Sequence, residues 1–265
     1  MTQKDKEQAA NLETARIKRL PSDAFYIPDF ISEAEEASLL QKITSAPLPR
    51  WKILSHRRLQ TYPSSLTSSN TLLSSPLPSW LTSPIITPHF TALNLFADSP
   101  HKAPNHVLVN EYQPGQGIMP HEDGGAYYPL VATVSLGGEV VFDLYPKDDS
   151  YKRDQDQGQD HGVVGGDAEA VRDEGRQPKY RILQERRSLL VTRDGLYRDY
   201  LHGIADRDRD EGLGPDSICN WDLLGDPERF RCGWYMRETR VSLTYRDVLR
   251  VAKVGNTMKF LNRNQ

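Results

Sequence analysis

The sequence is poor in cysteine, and this scarcity limits the kinds of site it can form. Its 265 residues include only Cys219 and Cys232, and no further Cys or nearby His completes a zinc site around them. We interpret the two cysteines as reduced thiols rather than as a metal or redox pair. A structural zinc site is therefore not expected.

Long apolar runs and an excess of positive charge are also missing. No apolar run approaches the roughly 20 residues that span a bilayer, so no membrane partner is expected. Residues 1–20 lack the apolar stretch of a secretory signal. The formal net charge of -3 argues against a strongly basic nucleic-acid binder, so any such site would be a local patch. We expect a soluble monomer in the nucleus and cytoplasm.

The first hundred residues are predicted to contain helices between irregular segments. Residues 1–22 are charged and without periodicity, which is typical of a flexible tail. Ser32, with Glu35 three positions later, forms a capping box that predicts the start of a helix. A second helix is predicted over residues 79–96, with its start disturbed by prolines.

The chain changes character after residue 100 and becomes a series of short strands. The predicted strands are NHVLVNEY, LVATVSLG, EVVFDLYP, RILQERRSLLVTR, YLHGI and RVSLTYRDV. Their spacing is typical of a barrel or sandwich. Two charged, Gly-containing insertions, at about 147–179 and 205–236, are predicted to be flexible. The second contains Trp221, Phe230 and Trp234, so local packing of this insertion is the alternative. The predicted organisation is an N-terminal region at 23–100, a β domain at 101–255 and a tail at 256–265.

Three side chains in the predicted β domain could share one metal ion. His121 and Asp123 are two positions apart in PGQGIMPHEDGG, and in an extended segment such side chains point to the same side. His202, in YLHGI, would come from a later strand. Two histidines and one carboxylate on one face leave open positions, as in sites where Fe(II) activates O2. Taken alone, a His-x-Asp spacing is most often structural.

A keto acid chelated to such a metal would need a cation for its far carboxylate. The strand period of two puts four polar side chains of TRVSLTYRD on one face: Arg240, Ser242, Thr244 and Arg246. An inward-facing Arg is costly unless it meets an anion, and a bidentate pair with a carboxylate removes that cost. An edge strand with solvated arginines is the alternative. Asn110 and Tyr112 share another face and could bond to the keto acid or form a satisfied buried network.

Taken in order, these motifs resemble the AlkB family of 2-oxoglutarate-dependent oxygenases. NEYQPGQGIMPHEDGG is similar to that family's N-x-Y…G…H-x-D segment. RVSLTYR is similar to its closing R-x-N-x-T-x-R segment, with Ser242 in place of the common Asn. Segments such as FYIPDFIS and LHGI are most similar to the sixth eukaryotic AlkB homologue. The similarity covers roughly residues 23–255 outside the insertions.

The resemblance implies a fold, a metal and a cosubstrate. The implied fold is mainly β with flanking helices, a double-stranded β-helix of the jelly-roll or cupin type with an N-terminal nucleotide-recognition lid. The implied ligands of Fe(II) are His121, Asp123 and His202. The implied contacts of 2-oxoglutarate, which reacts with O2, are Asn110, Tyr112, Arg240, Ser242, Thr244 and Arg246. Arg240 would pair with the distal carboxylate, and Arg246 would lie near the metal-proximal carboxylate or Asp123.

The resemblance also implies oxidative demethylation of N-methylated bases in RNA or single-stranded DNA, with release of succinate, CO2 and formaldehyde. Such an enzyme must bind a flipped or unpaired base between flat side chains. The candidate substrate contacts are His56, Arg57, Arg58, Gln60, Tyr62, Tyr127 and Tyr128. A solvated basic turn and core tyrosines are the structural alternative.

Three other functions fit part of the same pattern. A protein hydroxylase or demethylase would use the same scaffold on peptides. A reader of methylated RNA would have lost turnover, although the metal-binding residues are intact. A zinc hydrolase would leave Arg240 and the Asn-x-Tyr pair without a role.

Overall fold

The computed structural model describes residues 12–21, 23–147 and 177–253, and strands dominate it. The strands, numbered along the chain, are β1 Ala24–Ile27, β2 Lys52–Leu54, β3 Arg57–Tyr62, β4 Thr71–Leu73, β5 His106–Tyr112, β6 Ile118–His121, β7 Leu130–Leu136, β8 Val140–Pro146, β9 Tyr180–Gln184, β10 Leu189–Arg193, β11 Tyr200–Ile204, β12 Arg209–Glu211, β13 Trp234–Met236, β14 Arg240–Arg246 and β15 Arg250–Ala252. The helices are α1 Glu33–Thr44, α2 Ser79–Thr82 and α3 Gly195–Asp199, with short 3-10 turns at Leu48–Arg50, Trp221–Leu223 and Pro227–Phe230 and a bent helical segment at Ile85–Phe90.

Two sheets form the framework of the protein. The larger has seven strands in the order β1-β10-β7-β14-β5-β3-β2, and the smaller has four in the order β6-β11-β8-β9. Both contribute side chains to one cavity between them, so they face each other. This arrangement confirms the predicted jelly-roll core, in which antiparallel strands bury their inner faces.

Helix α1 begins where the capping box predicted. The Ser32 hydroxyl accepts a hydrogen bond from the Glu35 amide at 3.3 Å, and the Glu35 carboxylate accepts one from the Ser32 amide at 2.7 Å. These two bonds satisfy backbone donors that have no partner within the helix. Leu39 and Ile43 of the helix are buried in the main core.

The single helix predicted over residues 79–96 is wrong. The structure has α2 and the bent segment Ile85–Phe90 in its place, with Thr87 outside the helical conformation. Pro84 and Pro88 lie at the points of interruption, where a proline removes a backbone donor and clashes with the preceding turn.

The outer face of the larger sheet packs against the helices to form the main core. On β14, Val241, Leu243 and Tyr245 are buried in this core, whereas the alternate side chains point into the cavity. Both faces of β14 are therefore buried. The exposed edge strand considered as an alternative is wrong, because β14 lies between β5 and β7 in the middle of the sheet.

The flexible tail predicted for residues 1–22 is wrong over residues 12–21. The Ile17 amide donates to the Ala24 carbonyl at 2.9 Å, and the Tyr26 amide donates to the Ala15 carbonyl at 2.8 Å. Ile17 is 1% exposed and packs in a second core cluster. The apolar side chains of residues 12–21 anchor this short segment even though charged residues lie next to them in the sequence. The rest of that predicted tail and the tail at 256–265 lie outside the described residues.

The structure describes the second predicted insertion in full but only the ends of the first. Residues 148–176 of the first lie outside the described residues. The second, 205–236, is packed rather than open: it contains β12 and β13, and Phe230 is 1% exposed. Its aromatic side chains provide the apolar surface that a flexible segment lacks. Within the described residues, no helix is long and apolar enough to cross a bilayer.

Candidate active site

The cavity between the two sheets has a volume of about 80 Å³. Strands β3, β5, β7, β10 and β14 line it from the larger sheet, and β6, β8 and β11 line it from the smaller sheet. Polar side chains are concentrated on β14 and at the end of β6. The cavity is thus a polar chamber in an otherwise apolar barrel.

His121, Asp123 and His202 meet at this chamber. His121 ends β6 and is paired in register with His202 of β11, so the two rings lie on adjacent strands with centroids 4.3 Å apart. Each of the three residues offers one ligand atom, and these atoms all lie within 4.8 Å of one another. The three side chains can therefore reach one metal ion. This set was predicted from the sequence, and the structure brings all three members together.

The two histidines are suited to donate electron pairs. The Met119 carbonyl lies 2.9 Å from Nδ1 of His121, and since a carbonyl only accepts, Nδ1 carries the proton and Nε2 keeps its lone pair. Burial lowers the pKa of His121. Burial and the neighbouring His121 lower the pKa of His202 to about 3. Both rings are therefore neutral near pH 7, the form that binds metals.

Asp123 is held as a carboxylate by an arginine. Burial favours its protonated form, but Arg246, His202 and His121 more than offset this effect and lower the pKa of Asp123. The Nη2 of Arg246 lies 2.6 Å from Oδ1 of Asp123. One carboxylate oxygen thus pairs with Arg246 while the carboxyl group stays ionised for a metal.

Arg240 lies on the same face of β14, six positions before Arg246, and is paired differently. It is 3% exposed, and its Nε donates to the Ser135 hydroxyl at 3.0 Å while Nη2 donates to Oε1 of Gln184 at 3.1 Å. Among the described residues, no carboxylate lies within 4 Å of its guanidinium nitrogens. Burial lowers its pKa to about 10, so it remains a cation at neutral pH. A buried cation without an anion is suited to bind a ligand's carboxylate.

Asn110 and Tyr112 face Arg240 and Ser242 across the β5–β14 pair. Asn110 is opposite Ser242 in register, and Tyr112 is opposite Arg240. Oδ1 of Asn110 is buried and has no hydrogen-bond partner among the described residues. Such an atom is costly unless a ligand or water completes its bonding. The side chains of Asn110, Tyr112, Ser242 and Arg240 thus give this end of the chamber the hydrogen-bond donors that a keto dicarboxylate, which only accepts, requires.

Comparison with known proteins establishes the family. The model of the 2OG-Fe(II) oxygenase superfamily matches residues 23–246. The chain belongs to this superfamily. A Danio rerio protein named "Probable RNA/DNA demethylase ALKBH6" is 38% identical over 250 residues, 94% of this chain and 95% of that protein. The AlkB resemblance is thereby confirmed.

More distant relatives include a viral protein and a solved structure. "Uncharacterized protein L905" of Acanthamoeba polyphaga mimivirus is 26% identical over 229 residues, 84% of each chain. The solved structure of OsALKBH1 is 14% identical, with a TM-score of 0.49, over 86% of this chain and 99% of that one.

Membership makes the protein a dioxygenase that uses Fe(II), 2-oxoglutarate and O2. The chamber fits these groups. Two neutral imidazoles and an ionised carboxylate suit the metal, and the buried Arg240, which has no carboxylate partner among the described residues, suits the cosubstrate. Thr244 and Ser242 also line the chamber, as the strand period predicted.

Arg57 and Arg58, two neighbouring residues predicted to contact the substrate, lie on opposite faces of β3. Arg57 lines the chamber. Arg58 instead bonds to Glu111 through Nε at 2.7 Å and Nη2 at 2.9 Å, and its guanidinium lies over the Trp51 ring. The prediction that Arg58 meets a phosphate is wrong, because its charge is already paired. Adjacent residues of a strand point in opposite directions.

Gln60 and Tyr62 are also wrong as substrate contacts. Both lie on the Arg58 side of β3, where the Tyr62 hydroxyl donates to Oε1 of Gln60 at 2.7 Å. Nε2 of Gln60 donates to the Ile43 carbonyl at 3.1 Å, which ties β3 to helix α1. Both side chains therefore belong to the core between the sheet and the helix.

The remaining predicted substrate contacts, His56, Tyr127 and Tyr128, differ in how exposed they are. His56 is exposed at the turn between β2 and β3, with Nδ1 3.0 Å from Oδ2 of Asp206, and stays a predicted substrate contact. Tyr127 is 5% exposed and lies beneath the Arg246 guanidinium, which is 4.8 Å from its ring centroid. Tyr128 packs against the main core. Neither tyrosine is among the described residues that line the chamber. The burial of Tyr127 favours the core-tyrosine alternative, and a substrate contact of the partly buried Tyr128 stays a prediction.

Several site residues were missed from the sequence. Ser135 and Gln184 hold Arg240, and the Tyr197 hydroxyl donates to the Gly124 carbonyl at 2.6 Å, next to Asp123. Thr133 and Thr192 line the chamber. A polar residue inside an apolar strand is the one signal that could have marked Thr133, Ser135 and Thr192.

Proposed function

We propose that this dioxygenase removes N-methyl groups from bases of RNA or single-stranded DNA. In the overall reaction a methylated base nitrogen, 2-oxoglutarate and O2 yield the demethylated base, formaldehyde, succinate and CO2. The Danio rerio relative supports this proposal through its name, and the chamber supports it through its chemistry. The decisive observation is that the three metal-ligand candidates line the same chamber as Arg240, whose charge has no carboxylate partner among the described residues.

The proposed roles follow from the contacts. His121, Asp123 and His202 would hold Fe(II), which together with 2-oxoglutarate and O2 would supply the oxidising power needed to break a C–H bond of the N-methyl group. Arg240 binds the distal carboxylate of 2-oxoglutarate. Arg246 keeps Asp123 ionised and correctly oriented.

The smaller polar residues complete the cosubstrate site in this proposal. The Asn110 amide Nδ2 and the Tyr112 hydroxyl can donate to the cosubstrate on the β5 side, whereas Oδ1 of Asn110 is itself an acceptor and would need a water or substrate N–H as its donor. Ser242 and Thr244 line the β14 side. Their hydroxyls can donate and accept, so they suit a carboxylate or its ordered water.

Arg57 supports a nucleic-acid substrate. It lines the chamber from β3, and its buried Nε has no hydrogen-bond partner in the part of the chain that the structure describes. Among the described residues no carboxylate lies within 4 Å of its guanidinium nitrogens, in contrast to Arg58. Once Arg240 has taken the cosubstrate carboxylate, Arg57 needs a second acceptor. A nucleotide brings such acceptors in its phosphate and base carbonyl oxygens.

Turnover tests the reaction. The protein is incubated with Fe(II), 2-oxoglutarate and oligonucleotides carrying defined N-methyl bases, and succinate and formaldehyde are measured together. We expect equal amounts of both products from a methylated RNA or single-stranded DNA and none from the His121→Ala variant. Formaldehyde from methylated peptides only, or no turnover on any methylated nucleic acid, would contradict the proposal.

Binding tests the role of Arg57. We expect Arg57→Gln to weaken single-stranded oligonucleotide binding about tenfold or more while 2-oxoglutarate affinity stays unchanged. Lys52→Gln is the matched control, because it removes one charge from the exposed side of the same hairpin. Equal effects of the two substitutions would show that only the overall charge of the hairpin matters.

A further inference from the structure

The way Arg240 is held differs from that of two other buried arginines in the described structure. Arg237 bonds to the Asp210 carboxylate at 2.7 and 2.8 Å, and Arg246 lies 2.6 Å from Asp123. Arg240 is oriented by a hydroxyl and an amide, both of them uncharged. Its positive charge is therefore fixed in place without being neutralised.

The two acceptors come from both sheets. Ser135 lies on β7 of the larger sheet, and Gln184 ends β9 of the smaller sheet. Both are 0% exposed, and Oε1 of Gln184 also lies 3.4 Å from the Ser135 hydroxyl. The three side chains thus form one buried network that joins the sheets at the Arg240 end of β14. A buried network of this kind restricts the guanidinium to one orientation.

Hydrogen bonding does not by itself account for a glutamine at position 184. Its buried Nε2 has no hydrogen-bond partner within residues 12–21, 23–147 and 177–253, so only the acceptor half of the amide is used there. A buried unpaired donor costs stability. A glutamate of the same shape would avoid an unpaired N–H and form an ion pair with Arg240, but that pair would cancel the charge a ligand needs.

We propose that Gln184 is a positioning residue that makes the oxygenase select keto acids with a second carboxylate. Its neutral oxygen orients Arg240 and leaves the guanidinium charge free for the distal carboxylate of the ligand. Ser135 assists by accepting from Nε. This inference rests on the proposed pairing of Arg240 with that carboxylate.

The test compares two keto acids that share the chelating end. 2-Oxoglutarate has the distal carboxylate, and 2-oxobutyrate lacks it. Their dissociation constants are measured without O2, from the absorbance of the Fe(II)–keto acid complex and, independently, by calorimetry with Mn(II). For Gln184→Glu we expect 2-oxoglutarate to bind at least about thirtyfold more weakly and 2-oxobutyrate to change less than about threefold. A collapse of the preference between the two ligands is the signature of positioning.

A second variant covers the case in which a buried glutamate at this position impairs folding. Gln184→Met has a similar length and no charge, so Arg240 keeps its charge but loses one orienting acceptor. We expect 2-oxoglutarate affinity to fall about three- to tenfold, with thermal stability close to that of the wild type. Gln60→Glu is the matched control, another fully buried Gln, and should lower stability without changing the preference between ligands.

Three outcomes distinguish the proposed role of Arg240 from that of Gln184. If Arg240→Gln binds 2-oxoglutarate as tightly as the wild type, the proposed pairing of Arg240 itself is wrong. If Arg240→Gln weakens binding but both Gln184 variants bind normally, only the role of Gln184 is overturned. Equal weakening of both keto acids by Gln184→Glu would also overturn it, because a purely structural role affects every ligand alike.

Discussion

Arg246 and Asp123 lie 2.6 Å apart beside the two histidines that can share a metal with that carboxylate. Burial alone would favour the protonated form of Asp123, whereas the charge of Arg246 favours the ionised form. The ion pair therefore sets the pH range over which the site can bind a metal.

Replacing Arg246 is expected to make metal affinity depend on pH. In Arg246→Gln the pKa of Asp123 rises. On acidification the variant therefore protonates this carboxylate at a higher pH than the wild type does. We expect affinity for Mn(II) to drop about tenfold or more, with a larger loss at pH 6 than at pH 8. Calorimetric titrations across this range measure it. Parallel curves for the wild type and the variant would contradict the assigned role.

Metal and cosubstrate should stabilise the folded protein together. A ligand present at about 100 times its dissociation constant adds about 2.7 kcal/mol, which raises Tm by about 5–10 °C for a chain of this size. We expect this rise with Mn(II) and 2-oxoglutarate and its loss on adding EDTA. His202→Ala should abolish it, whereas His56→Ala, at the exposed hairpin turn, should keep it.

Arg57 and Arg58 should give opposite results although they are neighbours. Arg58→Ala removes the cation from the Glu111 carboxylate, whose side chain is 5% exposed and which then keeps only the hydrogen bond from the Gln113 amide among the described side chains. We expect a loss of about 1–3 kcal/mol in the free energy of unfolding, below the full cost of a buried pair because Arg58 is partly exposed. Arg57→Ala removes no such pair and should leave stability within about 0.5 kcal/mol. Urea denaturation of the two variants measures the difference.

A double substitution checks the source of the Arg58 effect. In Arg58→Ala with Glu111→Gln the buried charge is gone, so part of the lost stability should return. If the double variant is no more stable than Arg58→Ala alone, packing of Arg58 on Trp51 accounts for the loss instead.

Local periodicity predicted the part of the site that lies within single strands. The period of two placed Arg240 and Arg246 on one face of β14, and the two-residue spacing put His121 beside Asp123. The same rule, applied to RRLQTY, would have separated Arg57 from Arg58. Grouping them by charge alone caused the error.

Contacts between distant strands could not be predicted from the sequence. Ser135 and Gln184 reach Arg240 only because β7 and β9 belong to sheets that face each other, and their residue types carry no signature of that contact. The burial of Gln60 likewise depends on where α1 crosses the larger sheet. Such contacts are set by sheet order and packing, which one sequence without relatives does not specify.

His106 should make stability fall as the pH falls. It is 3% exposed at the start of β5, and burial, reinforced by Arg246, lowers its pKa to about 3. Its pKa in the unfolded chain is about 6.5, so below that pH the unfolded state binds a proton that the folded state does not. The folded state therefore loses stability as pH falls from about 6.5 toward 3, by at most about 1.4 kcal/mol per pH unit.

The non-titrating variant His106→Gln isolates this effect. Free energies of unfolding are measured in urea at pH 7.5 and 5.5, with EDTA present so that metal binding does not contribute. We expect the wild type to lose about 1 kcal/mol more than the variant between these two pH values. The His202 ring, whose pKa is also lowered by burial, titrates in both proteins and cancels in the comparison. Equal losses in the two proteins would show that His106 is protonated in the folded state at pH 5.5, against the direction that its burial requires.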